Sequence, residues 1–275
     1  MIPADYHLHT PYCGHAQGEI IEYVERAIFL GLKEIGFSDH LGRYYLTPAQ
    51  LKKNWEWGMR PESLPQYFND ITKLQKQFDG RIKIRIGLEI DYIEGAEESA
   101  IKIMDTLPFD YAICSIHCLP SLGWKHIAHY TKMNPAVIYK EYFKAAHAAV
   151  NSNCFQSLAH IDFLWRYIPC VNEELKKIAL KGIERVVKAA SKSRTALELN
   201  SNGFFHASNN TMGQVLYSFF LDQISKHKPA VTIGSDAHEP HNAGWLFEDI
   251  CKIMKTKEIN TILGFEQKKS VLFQI

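Results

Sequence analysis

An α/β fold, a barrel closed from parallel strands with its functional site at their C-terminal ends, is what this sequence predicts, on three observations. Short apolar runs alternate with stretches of helical periodicity seven times along the chain. Six runs end in His, Glu or Asp, at His9, His40, Glu89, His117, His160 and His238. The 275 residues suit one large domain of that kind, read as residues 1–275. Strand–helix alternation favours a parallel sheet, and right-handed crossovers let the sheet close. An open doubly wound sheet is the alternative, but it gathers ligands at one crevice, so polar groups at nearly every strand end favour the closed form.

The first strand carries Asp5-Tyr6-His7-Leu8-His9-Thr10. Side chains alternate along a strand, so His7 and His9 leave on one face and are placed to grip one ion together, with His15 close behind in Pro11-Tyr12-Cys13-Gly14-His15. Ile20, Val24, Ala27 and Ile28 then recur at helical spacing, and Gly31 stands where a left-handed cap ends a helix. Residues 34–38 form the second strand, delivering Asp39 and His40. Residues 41–62 break the rhythm with Gly42, Pro48, Gly58 and Pro61; Tyr44, Tyr45, Trp55 and Trp57 make them either a lid over the mouth or packing at its rim. Leu64, Phe68, Ile71, Leu74 and Phe78 mark the next helix.

Ile82, Ile84 and Ile86 alternate ahead of Gly87-Leu88-Glu89, the third strand. Residues 96–107 are helical up to Pro108, and residues 111–115 form a fourth strand that leads to His117. In the loop from 118 to 131, Lys125, His126 and His129 are candidates for touching a polar substrate. Pro135 suits the first turn of a helix reaching Val150, and residues 157–161 are the fifth strand, with His160. The stripe from Leu175 to Ala190 is helical packing surface. Residues 195–200 end the sixth strand on Asn200, residues 212–227 are helical, and residues 230–234 deliver Asp236 and His238. Residues 271–273 form one more short strand.

A formal net charge of +1 gives no electrostatic reason to expect nucleic acid or an anionic membrane as a partner, so a small molecule is the expected substrate. No apolar run is long enough to span a bilayer and Asp5 and His7 come too early for a signal core; the expected location is cytoplasmic. Six cysteines without a C-x-x-C pair read as reduced thiols. Imidazoles and carboxylates at strand ends are the usual ligands of zinc, manganese and iron.

The succession His7-Leu8-His9, His15, Asp39-His40, Glu89, His117, His160 and Asp236-Ala237-His238 resembles the polymerase and histidinol phosphatase (PHP) superfamily of metal-dependent phosphoesterases over nearly the whole chain. It is most similar to the stand-alone histidinol-phosphatase branch in His7-Leu8-His9-Thr10-Pro11, Cys13-Gly14-His15-Ala16 and Ser235-Asp236-Ala237-His238. The resemblance implies a distorted seven-stranded (β/α) barrel, TIM-like, that hydrolyses L-histidinol phosphate by metal-activated hydroxide attack on phosphorus. It implies three divalent transition-metal ions, of zinc, manganese or iron: one on His7, His9, Glu89 and Asp236, a second on Glu89, His117 and His160, a third on His15, His40 and His238. Glu89, Asp236 and His238 are then expected to take part in catalysis. Asp39 is expected either to orient a ligand or to deliver a proton to the leaving group.

Arg166 resembles a phosphate-contacting arginine of the family, and Asn200, His206 and Lys125 are further candidate substrate contacts. One departure follows the sixth strand: where the family commonly carries an arginine, Asn200-Ser201-Asn202-Gly203 leads into Phe204-Phe205-His206. Another small phosphorylated metabolite is therefore the alternative substrate. Metal-dependent amidohydrolases also begin with H-x-H, but they usually add a lysine ligand from a middle strand, which the Glu89 pattern does not offer. A non-catalytic binding domain would not need the complete ligand set.

Overall fold

The computed structural model describes residues 3–51, 58–130 and 132–275. Seven parallel strands lie side by side in chain order: β1 (Ala4–Leu8), β2 (Glu34–Phe37), β3 (Lys83–Asp91), β4 (Tyr111–Ser115), β5 (Ser157–Leu158), β6 (Ala196–Asn200) and β7 (Val231–Gly234). The helices follow in turn: α1 (Ile20–Phe29) after β1, α2 (Pro48–Leu51) and α3 (Leu64–Gln77) after β2, α4 (Glu97–Asp105) after β3, and α5 (Pro135–Ser152) after β4. Next come α6 (Phe163–Tyr167) and α7 (Glu173–Ala190) after β5, α8 (Ser201–Ser208) and α9 (Thr211–His227) after β6, and α10 (Phe247–Thr256) after β7. Side chains of Asn134, Asn172, Asn200 and Asn210 accept a first-turn N–H of α5, α7, α8 and α9, which fixes where each helix starts.

The ring of strands closes just above β7. His9 donates its backbone N–H to Ala237 (2.9 Å) and Ala237 donates to His7 (3.3 Å). Asp5, fully buried, fastens the same seam by accepting from the backbone N–H groups of Ser235 and Gly244, both at 2.9 Å. Strand β1 also holds one extra residue, since Asp5 pairs with Ile35 and Leu8 with Phe37. That bulge resets the alternation. Tyr6 packs inward on Tyr111, Ile113 and Phe265, and its neighbour His7 reaches Glu198.

The lower interior is filled by aromatic rings. Tyr111 donates to the Tyr6 carbonyl (2.8 Å) and lies so close to Gly36 and Gly87 that a Cβ at either would come within 2.1 or 2.3 Å of it. A C-terminal hairpin, β8 (Thr261–Glu266) and β9 (Lys269–Gln274), plugs this end: Phe265 sits 5.3 Å from the Tyr6 ring and 5.2 Å from the Tyr111 ring.

Several expectations are adjusted. The fifth strand stops at Leu158, because the His160 N–H turns to the Glu198 carboxylate (2.9 Å) instead of a neighbouring strand. The expected strand at 271–273 belongs to β9, whose partner β8 the sequence reading left out, as it did α6, α8 and α10. In the aromatic loop Tyr45 is buried, with its hydroxyl on the Asp91 carbonyl (2.6 Å), so this part of 41–62 is packing, not lid. Trp55 and Trp57 lie outside the described residues.

Candidate metal centre

Glu89, at the upper end of β3, stands in the middle of the barrel mouth and is 1% exposed. Its two oxygens divide the surrounding imidazoles. Oε2 lies 3.2 Å from His7 Nε2, 3.4 Å from His9 Nε2 and 2.8 Å from His40 Nδ1. Oε1 lies 3.1 Å from His160 Nε2 and 3.5 Å from His117 Nε2. Asp236 closes the first group, its Oδ1 being 3.6 Å from His7 Nε2 and 3.4 Å from His9 Nε2. Beside it, His238 Nε2 is 2.9 Å from His15 Nε2, and the His15 and His40 rings stack at 5.2 Å. All nine residues expected to ligate metal are thus gathered in one place.

The spacing fits ions. Ligand–metal bonds of about 2.1 Å in tetrahedral geometry put ligand atoms about 3.4 Å apart, and the His7, His9, Glu89 and Asp236 atoms are 3.2 to 3.6 Å apart across these pairs. His9 is fully buried, yet neither ring nitrogen makes a well-aligned hydrogen bond. A buried imidazole left in that state is costly unless something else takes its lone pair. Cys13 comes close too, its sulfur grouped with the His15 and His238 nitrogens within 4.8 Å, while burial pushes its thiol up to about 12.

The charges in the mouth hold one another in place. Burial alone would raise the Glu89 pKa, but His40, His7, His117 and His160 outweigh it and hold the carboxyl well below its usual range. Asp236 is likewise held low against its burial, by His7, His9, Arg166 and His238. His9 shifts the other way, because burial and then the neighbouring His238 and His40 disfavour its cation. Asp236 also has φ of +57°, a left-handed conformation unusual for a non-glycine residue and typical of residues that a functional site over-determines.

Behind the ligands stands a layer that the sequence reading missed. Glu198 pairs with His7 Nδ1 at 2.7 Å, and Asp91 pairs with His117 Nδ1 at 2.7 Å while accepting from Arg43 Nε at 2.5 Å. Both acids were within reach of the period-two rule: Asp91 is two residues beyond Glu89, and Glu198 two before Asn200. Asp39 belongs to this layer. Its carboxylate accepts the Thr10 N–H (2.8 Å) and hydroxyl (2.7 Å) and is fully buried within 4.8 Å of a His9 ring nitrogen, so it supports the Thr10 turn beside that imidazole.

Above the centre opens a cleft of about 290 Å³, with Arg166, Asn202, His126, Phe163 and Tyr167 beside the histidines. Arg166 is where the sequence placed it, but its guanidinium is heavily used: Nε on Asp162 (3.0 Å), Nη1 on Asp236 (3.0 Å), Nη2 on Asn200 (2.8 Å). The other three candidate substrate contacts are placed as follows. Asn200 is fully buried, capping α8 and bonding Glu198 and Arg166, so it positions other groups. Lys125 is exposed outside the cleft lining, where its neighbour His126 takes the place. His206 is exposed on α8 against Phe205, within electrostatic reach of Arg166 and Asp236, and Asn202 from the same helix lines the cleft.

Residues 5–202 match the family described as the PHP domain. This chain belongs to the PHP family. A probable histidinol-phosphatase of Deinococcus radiodurans is 30% identical over 255 residues, covering 90% of this chain and 91% of the relative. The histidinol-phosphatase of Bacillus subtilis is 25% identical, over 89% of this chain and 96% of its own. Among solved structures, the histidinol phosphate phosphatase of Lactococcus lactis, complexed with zinc, L-histidinol and phosphate, superposes with a TM-score of 0.81 at 23% identity, covering 98% of each chain. At that identity the likeness establishes the shared PHP barrel.

Proposed function

We propose that this PHP-family chain is a metal-dependent phosphomonoesterase that hydrolyses L-histidinol phosphate to L-histidinol and phosphate. The observation that carries the reading is the division of Glu89, one oxygen toward His7 and His9 and the other toward His117 and His160, under a cleft that Arg166 lines. Relatives named for histidinol phosphatase activity over about nine-tenths of both chains favour that monoester. Residues 1–275 are read as one domain, because β7 and the plugging hairpin continue the barrel beyond residue 202.

We assign these donors to three ions: His7, His9, Glu89 and Asp236 would hold one, Glu89, His117 and His160 the next, and His15, His40 and His238 the last. When bound, they supply charge neutralisation at the phosphoryl oxygens and a water of lowered pKa. The protein's own contribution is order. Glu198 and Asp91 take the Nδ1 hydrogens of His7 and His117, which leaves each Nε2 lone pair facing Glu89. Arg166, fixed by three acceptors, retains guanidinium hydrogens for charge-assisted bonds to the phosphoryl group. Attack of that water on phosphorus would break the ester P–O bond and release the alkoxide toward the cleft opening, where solvent would protonate it.

Phosphate release from histidinol phosphate, measured after reconstitution with zinc, manganese or iron(II) and beside a panel of sugar phosphates, tests the proposal. We expect turnover with a preference for histidinol phosphate, abolished by chelator. A histidinol phosphate that stays intact while another monoester is hydrolysed would move the assignment to the second reading, which Phe204 and Phe205 at the family's arginine position favour. Turnover indifferent to chelator would remove the metal mechanism altogether.

A further inference from the structure

The isoleucines that lead into β3 alternate with cations. Arg81, Lys83 and Arg85 stand between Ile82, Ile84 and Ile86, and side chains two apart on a strand leave on one face. The isoleucines are buried; Arg81 and Lys83 are exposed, and the row runs inward to Arg85, which is 8% exposed. Lys33, just before β2, lies alongside, its carbonyl accepting the Lys83 backbone N–H at 3.0 Å. These four cations line a groove of about 560 Å³ at the lower end of the barrel, away from the metal centre, with Asp79 and Glu266 as the acids on its walls.

Ion pairs within the protein occupy Arg85, which donates from Nε and Nη2 to Glu34, at 2.9 and 3.1 Å, and from Nη1 to Glu266 at 2.7 Å. Among the described residues Lys33, Arg81 and Lys83 have no acid in direct contact. Arg81 lies over the Phe78 ring, 5.0 Å from its centroid, and Lys83 acts on Glu266 only at longer range. Like charges gathered in this way repel one another, and an anion of several charges relieves the repulsion while taking up the spare N–H donors. Residues two apart on a strand are about 6.7 Å apart, so a chain of two or three phosphoryl groups meets more of the row than a lone phosphate does. The groove also has the volume of an ordinary small-molecule pocket. We propose that it is a second anion site, one that binds an oligophosphate, either inorganic or carried by a nucleoside triphosphate. The site lies at the other end of β3 from Glu89 and does not depend on the reaction proposed for the mouth.

Equilibrium dialysis of the metal-reconstituted protein against radiolabelled pyrophosphate, and separately against labelled ATP, measures the ligand bound per chain. Replacing two exposed members of the row together, Arg81→Ala with Lys83→Ala, should weaken binding by about tenfold or more, the scale of lost charge-assisted contacts. Metal content and phosphatase activity of that variant should match those of the unaltered protein. Lys140→Ala with Lys192→Ala removes the same charge from exposed positions outside the groove and should leave the affinity unchanged. Pyrophosphate and ATP both bound, and both lost in the groove variant, support an oligophosphate site as such; ATP alone bound and lost there supports the nucleotide source. Binding that persists undiminished in the groove variant would place the anion on the metal centre and overturn the inference. So would equal weakening by the distant pair, which would mark net charge as the cause, and so would the absence of binding to the unaltered protein.

Discussion

Glu198 Oε1 lies 2.7 Å from His7 Nδ1, and its other oxygen accepts the backbone N–H of His160 at 2.9 Å. One buried carboxylate therefore orients residues of two different proposed ion sites, from strand β6, which supplies no ligand itself. Glu198→Gln keeps the size but removes the charge, and outer partners of this kind typically matter 10- to 100-fold in metal affinity. Competition with a chromophoric chelator should register a loss of about that size in both the His7 and the His160 sites, and unchanged affinity at either would sink the role.

Asp91 and Arg43 form the matching support for His117, and both are buried. Removing one partner of such a pair leaves an uncompensated charge inside the protein, at about 3–5 kcal/mol. Asp91→Asn should therefore lower both urea stability and metal affinity. Adding Arg43→Met to it should recover much of the stability and none of the affinity; recovery of both would show that the pair merely holds the fold.

Metal removal should be visible without any substrate. Ligands that bind only the folded state stabilise it by about 2.7 kcal/mol at a hundredfold excess over Kd. Scanning calorimetry before and after dialysis against chelator is expected to give a Tm several degrees lower, restored by adding zinc. An unchanged Tm would mean that His9 and its neighbours hold no ion in solution.

Arg166 is tied to Asp162, Asp236 and Asn200, so its loss acts twice. Arg166→Ala should raise KM for a phosphate monoester and also reduce metal content, because Asp236 loses a restraint. A raised KM at full metal content would restrict Arg166 to contact with phosphate.

At the opposite end of the barrel, Phe265→Ala should cost about 3–5 kcal/mol, the usual range for a buried aromatic. Metal affinity should change little, since the Tyr6 and Tyr111 rings lie between Phe265 and the mouth. Guanidinium unfolding monitored beside a metal titration separates the two effects.

The period-two rule made the strand-end ligands legible, and the order of apolar runs gave the barrel. What escaped has physical causes. Chain contacts remote in sequence decide where β5 stops, since a carboxylate from β6 takes the His160 N–H. Asn200 looks like a substrate contact when read alone, because an N-cap and a cleft residue call for the same side chain. Lys125 is a polar residue on an exposed loop next to the cleft, and only the backbone path tells it from His126. The bulge in β1 is likewise silent in the sequence: Tyr6 and His7 both turn inward, which strict alternation forbids.

The seam between β1 and β7 sets an order for the protein's assembly. His7 and His9 stand far along the chain from the segment they bond to, at Ala237. Closing so long a loop comes late in folding. The donors from Glu89 to His160 lie on consecutive neighbouring strands, whereas the pocket around His9 needs the barrel shut, so the proposed ion on His9 waits for the seam to close.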